Sequence, residues 1–286
     1  MGTTLGVWAA LAALGQIDFS GGFGTTTGLQ ANGNATFAAG RLRLTAAVND
    51  QRGSCFYTTA QVMRSFATRA RFKFTPGSNP MADGICFVLQ RAGTTALGGG
   101  GGGQGYAGIV TSLAVKFDIY PNAGSYTGMY VNGAAPDQPE RALNPGLNFH
   151  SGNIFQADLV YDGDELRVTI TDTVTTASAA QTYLVDIPSV LGGATAYVGF
   201  TAATGGLNAI QEILSWTFTP PPAAPASLSA SRDQLQQVTL GWSAVTGADD
   251  YYLLRGSTTG GPYGGIALVP ASSTTYVDPA APGNWF

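Results

Sequence analysis

The ten residues SFATRARFKF (65–74) constrain this chain more than any other stretch. Phe66, Ala70, Phe72 and Phe74 fall on one face of an extended chain, and Arg69, Arg71 and Lys73 fall on the other. That is the period of a strand with one packed and one wet face. The alternation returns in RLRLTA (41–46), in IFQADLVYDG and in ELRVTITD, where Leu166, Val168 and Ile170 oppose Arg167, Thr169 and Thr171. GICFVL is a continuous apolar run, the pattern of a strand covered on both faces. SLAVKFDIY, TGMYVNG, TYLVDI, AYVGFTA and QEILSWTF read as further strands, with turn chemistry at TPGSNP and Asp162-Gly163 between them. Roughly a dozen strands in one block, without a convincing helix, predict an all-β sandwich of two packed antiparallel sheets.

Composition agrees and excludes several functions. Hydrophobic residues make up 44% and charged residues only 10%, with 40 glycines, a balance that suits short strands and tight turns. The net charge is −4, and of the 13 basic residues only Lys73 and Lys116 are lysines, so no basic patch for nucleic acid can be assembled. The apolar run VWAALAAL (7–14) is far short of the ~20 residues that span a bilayer, and it lacks the basic n-region of a signal peptide. The expectation is a signal upstream or a start inside a larger protein. Cys55 and Cys86 each sit in an apolar strand segment; a disulfide and two buried thiols are both open readings.

At Thr219 the chain changes character. TPPPAAPA reads as a proline-rich, semi-rigid linker over 219–226. QVTLGWSAV, DDYYLLRGS and TTYVD follow over 227–286 at the spacing of a small sandwich. They resemble a fibronectin type III domain, with Trp242 at its usual core tryptophan position. The likeness covers about two-thirds of such a module, which would leave sheet edges open.

From 17 to 218 the chain resembles the legume-type (L-type) lectin family, in particular its bacterial members. MADGICFVL looks like the family's A-D-G-hydrophobic strand, VKFDIYPN like its V-E-F-D-T-Y-x-N metal loop, and VGFTAATGGLNAIQEILSWTF like its V-G-F-S-A-A-T-G loop running into L-S-W-S-F. The resemblance implies a concanavalin A-like jelly roll that binds a glycan or polysaccharide without catalysis, secreted or on a cell surface. It further implies that Asp83 accepts hydrogen bonds from sugar hydroxyls across a cis Ala82–Asp83 peptide. A backbone N–H of the glycine loop, at Gly102 or Gly103, would donate to the same sugar and the Asn122 amide would do both. Loop 204–209, with Gly206 and Leu207, would adjust sugar choice.

The metals are where the chain departs from the family. The first metal glutamate is Lys116 here, and the segment after Asn122 is shortened, so that the family's further aspartate and histidine have no counterpart; Tyr126 stands near the histidine's place. The resemblance therefore implies a lost transition-metal site. Asp118, the Tyr120 carbonyl and Asn122 would form only a weak calcium site, short of the 6 to 8 oxygens calcium prefers. A hydrogen bond or the Lys116 ammonium is expected in the metals' structural role.

Other readings compete. Asp83-Gly84 is also a common turn dipeptide. The stretch at 103–108 matches GxGxxG, but a strand follows it where phosphate binding needs a helix N-terminus. His150 lies in turn-rich HSGN without a partner carboxylate and reads as structural. Tyr106, Tyr126 and Tyr130 are candidates to stack on a sugar, with at least one in the core; Trp216 alternates with Leu214 and Phe218 and reads as packing. Glycosidases on this architecture need two carboxylates about 5 to 9.5 Å apart. Asp158, Asp162, Asp164 and Glu165 instead surround a hairpin turn. A spacer or adhesive module with a decayed sugar site is the alternative to binding.

Overall fold

The computed structural model describes residues 16–120, 124–143, 146–220, 225–232, 237–245, 248, 250–256, 263–270 and 272–278. The apolar lead at 7–14 and Asn122 lie outside them. One unit of the chain is Gly15–Pro221, and the other includes Pro222–Phe286.

The first unit is two eight-stranded antiparallel sheets. Strand Phe66–Pro76 lies in the middle of one, paired with Phe155–Tyr161 on one side and Ala209–Thr219 on the other. In the second sheet Gly84–Gln90 lies between Ser112–Asp118 and Thr195–Ala203, and Arg52–Tyr57 and Tyr126–Val131 extend it outward. Alternation explains the core between them. Phe66, Ala70, Phe72 and Phe74 are buried there, while Arg69 and Arg71 stay in water. Phe72 is the hub: its ring meets those of Phe74, Phe117, Phe149 and Phe155 at 4.8–5.8 Å. Trp216 is buried as packing, edge-on to Phe200, with its indole N–H donating to Thr68 Oγ1.

Strand Gly84–Gln90 is buried at every position. Its inner side chains Ile85, Phe87 and Leu89 join the inter-sheet core, and Cys86 and Val88 enter a second apolar cluster with Phe56, Tyr106, Ile109, Ala114 and Tyr130. The two cysteines thus sit on opposite faces of the sheet and are free thiols. Burial pushes the Cys55 thiol up to about 12.

The structure corrects the expectation of a helix-free block. TYLVDI leaves its strand at Leu184, and Asp186 caps a single-turn helix, Ile187–Leu191. Its side chain accepts the Ser189 N–H at 2.9 Å, proline occupies the first turn, and Ile187 and Leu191 are buried, so cap chemistry and burial outweigh the β-branched content.

In the second unit, Leu228–Arg232, Val238–Trp242 and Thr275–Asp278 form one sheet, and Asp250–Gly256 pairs with Tyr263–Pro270. Trp242 is buried edge-on to Tyr251 at 5.3 Å, beside Leu253 and Val269.

Truncating the hub tests this account of the first unit. Phe72→Ala removes four ring contacts from a close-packed core and is expected to lower unfolding free energy by about 3–5 kcal/mol. Urea denaturation followed by tryptophan fluorescence measures it; a change below about 1 kcal/mol would place the hub elsewhere.

Candidate functional site at the sheet rim

Three segments meet at one end of the second sheet. Asp83 opens strand Gly84–Gln90, and its peptide with Ala82 is cis. Its backbone is pinned on both sides: the Asp83 N–H donates to Ala203 O at 3.2 Å, and its carbonyl accepts the Ile119 N–H at 3.0 Å. The glycine loop joins through Gly101 N–H to Thr204 O at 3.2 Å. A Cβ added to Gly205 would lie 3.4 Å from Gly101 Cα and 3.6 Å from Asp83 Oδ2, so only a small residue lets the third segment in.

The Asp83 side chain is 7% exposed, and its Oδ2 is buried with no hydrogen-bond partner among the described residues. Among the described residues the only donor acting on this carboxylate is the Gly205 N–H, which already donates to Leu207 O at 3.2 Å, and Oδ2 itself remains a buried acceptor, costly unless filled. Burial, and then the nearby charge of Asp118, push its carboxyl up to about 6, with the Gly205 backbone N–H opposing.

Gly101–Gly103 form a single 3-10 turn. The N–H groups of Gly98, Gly99, Gly101, Gly103, Gln104 and Gly105 all donate within the fold. Gly102 is exposed, and its N–H has no acceptor among the described residues. Of the two expected donors only Gly102 is therefore free, because the turn directs the Gly103 N–H to Gly100 O at 3.0 Å. In the third segment Gly206 is exposed with open space around it, and Leu207 is half-buried. Thr204 anchors that segment: its Oγ1 donates to Val48 O and accepts the Gln51 N–H.

Lys116, which stands where the resemblance expects the family's first metal glutamate, is buried among oxygens. It is 1% exposed, and the three N–H groups of its Nζ are shared among four acceptors: Glu140 Oε2 at 2.5 Å, Pro136 O at 2.9 Å, Asp118 Oδ2 at 3.0 Å and Asp137 O at 3.3 Å. The Tyr130 ring centroid is 5.5 Å away. The other oxygen of Asp118 accepts the Tyr120 N–H at 2.8 Å. Burial by itself would lower the lysine pKa; the charge of Asp118 and the hydrogen bonds to Glu140 and Asp118 outweigh it and hold the ammonium above its ordinary range. Burial likewise raises the Asp118 carboxyl to about 6, opposed by Lys116 and the Tyr120 N–H. Both Asp118 oxygens are engaged and an ammonium fills the cluster, so these residues do not fit a divalent cation. Asn122, the third expected ligand and the expected sugar-binding amide, lies outside the described residues.

Two of the expected aromatic contacts are corrected. Tyr106 and Tyr130 are core: the Tyr106 hydroxyl accepts from Ser112 Oγ and the Gly133 N–H, and the Tyr130 hydroxyl donates to Pro139 O. Tyr126 is half-buried over Gly124. Tyr120, expected only as a carbonyl ligand, carries the exposed ring, at 43%. His150 is structural, its Nε2 3.1 Å from Gly124 O. Asp162 Oδ1 accepts the N–H groups of Asp164 and Glu165 in the hairpin turn, and Asp158 pairs with Arg69 across strands. The 103–108 stretch runs into strand Ser112–Asp118 rather than a helix. Sequence reasoning missed Glu140; a lone glutamate after two prolines in a chain this poor in charge was the available signal.

With fold and rim in view, comparison with known families matches residues 17–234 to the Legume lectin domain. The chain belongs to the legume lectin family. It is 25% identical to favin of Vicia faba over 214 residues, which cover 65% of this chain and 87% of favin. It is 27% identical over 243 residues to the L-type lectin-domain containing receptor kinase SIT2 of Oryza sativa subsp. japonica, covering 71% of this chain and 35% of that protein. The chain thus spans about a third of the kinase's length. Among solved structures, the lectin from Bauhinia forficata in complex with GalNAc superposes with a TM-score of 0.64 at 21% identity, covering 72% of this chain and 97% of that one.

The raised Asp83 carboxyl has a definite sign in stability. Between about 4 and about 6 the folded state binds more protons than the unfolded one, so this group's stabilising contribution is present at low pH and lost as pH rises through about 6. Asp83→Asn removes that loss. The variant is expected to melt about 5 °C above wild type at pH 7.5, the gap closing near pH 4. Equal melting temperatures across the range, by calorimetry, would show that Asp83 is stabilised by a partner.

Proposed function

We propose that the chain is a non-catalytic carbohydrate-binding module of a secreted or cell-surface protein, holding its sugar at the rim of the second sheet. One observation carries the reading: among the described residues, a buried carboxylate oxygen without a hydrogen-bond partner stands at the same edge as an exposed backbone N–H without a protein acceptor. A sugar ring with adjacent hydroxyls answers both, since each hydroxyl is donor and acceptor at once. Asp83 takes the hydroxyl protons and Gly102 supplies its N–H. Gly206 and Leu207 border the rim, and the exposed Tyr120 ring offers an apolar face to the pyranose.

Membership of a lectin family supports this reading. Nothing covalent is required of the rim. An open site of this kind binds weakly, with Kd in the millimolar to micromolar range, about −4 to −8 kcal/mol. We assign 219–226 as linker and 227–286 as a fibronectin type III-like unit that carries the lectin unit.

A glycan array on the whole chain tests the reading. Saturable signal on a defined sugar class is expected, abolished by Asp83→Ala and weakened about tenfold by Tyr120→Ala. Signal that survives Asp83→Ala would put the site elsewhere. No signal on any glycan, from a folded chain, would favour the spacer reading.

A further inference from the structure

The ammonium of Lys116 is surrounded in the manner of a bound ion. Two carboxylates, Asp118 and Glu140, and two carbonyls, Pro136 and Asp137, converge on it at 2.5–3.3 Å, and the Tyr130 ring lies against it. These acceptors come from separate places. Asp118 ends a central strand, while Pro136, Asp137 and Glu140 belong to the connection after strand Tyr126–Val131. That connection folds back over the sheet as a strap, with the Tyr130 hydroxyl donating to Pro139 O at 2.9 Å from beneath. Strand register puts Lys116 opposite Gly128, where a Cβ would strike the Tyr130 hydroxyl at 2.7 Å and Pro139 O at 2.9 Å. The site is thus shaped for the strap to descend onto the ammonium.

Charge explains why a cation is needed there. Asp83, Asp118 and Glu140 are three acidic groups at one sheet end, and Lys116 pairs with both Asp118 and Glu140. Gly84 lies opposite Asp118 in the strand register, so whatever fixes Asp118 fixes the strand end that carries Asp83. The Tyr120 N–H on the second Asp118 oxygen passes the same constraint to the exposed ring.

We propose that Lys116 is the resident cation of this lectin: a covalently attached positive charge that assembles the rim, so that the rim needs no divalent metal. The proposal rests on the sugar-binding reading only for what the rim is used for. Lys116 touches no sugar in it; it is a positioning residue for Asp118, the 136–140 strap and, through strand register, Asp83.

The experiment is thermal unfolding of the whole chain by calorimetry, after exhaustive EDTA treatment and then with added Ca²⁺ or Mn²⁺. Wild type is expected to keep its melting temperature within about 2 °C in all three conditions, since a ligand that does not bind the folded state cannot stabilise it. Lys116→Met leaves buried carboxylates unpaired and is expected to melt about 6–20 °C lower, whereas Lys116→Arg retains most of the loss. Lys116→Glu adds a third carboxylate to the cluster, and its melting temperature is expected to rise saturably with Ca²⁺. A wild-type melting temperature that falls in EDTA or rises saturably with either ion overturns the proposal. So does a Lys116→Met variant as stable as wild type. If Lys116→Met fails to fold, the wild-type titration decides alone. Because melting is read without sugar, a negative glycan array beside a metal-indifferent melting curve strikes the sugar reading and leaves this one standing.

Discussion

The outer face of strand Gly84–Gln90 has to be covered, and much of the rim follows from that requirement. An open sheet leaves one side to water, yet every residue of this strand is apolar or buried, so a second layer must lie outside it. Tyr106 provides that layer. It is fully buried against Cys86 and Val88, with its hydroxyl satisfied by Ser112 and Gly133. To bring Tyr106 there the chain between 97 and 106 must double back tightly. Gly98 and Gly105 show what this demands: a Cβ on Gly98 would lie 2.5 Å from the Tyr106 carbonyl carbon, and one on Gly105 would lie 2.8 Å from Ala202 O. The glycine loop is thus the return path of a core residue. Its exposed Gly102 N–H is presented at the rim because Tyr106 is anchored below.

A buried charge fixes the other side of the rim. Transferring an ammonium and two carboxylates out of water is unfavourable, and the network holds because every short contact to Lys116 is a charged or carbonyl oxygen. Such a network contributes little net stability compared with apolar packing, but removing one member is strongly destabilising. It therefore specifies geometry more than it adds free energy. The two devices act on neighbouring strands: Tyr106 on the loop beside Gly84–Gln90, and Lys116 on the end of Ser112–Asp118.

Much of this was legible in the sequence, and what was not has physical causes. Alternation in SFATRARFKF and ELRVTITD gave the packed faces directly, because a half-buried strand leaves no other pattern. The apolar run GICFVL announced two-sided burial, though not that Tyr106 would complete it. A tyrosine in a glycine loop looks the same in sequence whether its ring faces in or out. Gly102 and Gly103 could not be separated from sequence, since the difference is which N–H a 3-10 turn consumes. Glu140 was missed because it is 24 residues from Lys116 in sequence, and a long-range ion pair has no local signature. The Lys116 substitution itself was visible, and its position in the middle of a buried strand already required a partner.

Asp83 shows how these constraints shape the rim. A carboxylate that could reorient would find a donor within the protein and satisfy itself. Here its backbone is held on one side by Ala203 and on the other by Ile119, and Gly205 closes against the side chain. Its Oδ2 is left buried and unpaired, at a cost that appears as a carboxyl raised to about 6. That cost is the difference between a folded state optimised for itself and one prepared for a ligand. Under the proposed function, a hydroxyl arriving at the rim would meet a group already desolvated and oriented. On that reading, part of the desolvation that normally opposes sugar binding has been met during folding, by the burial of Asp83 at the strand end.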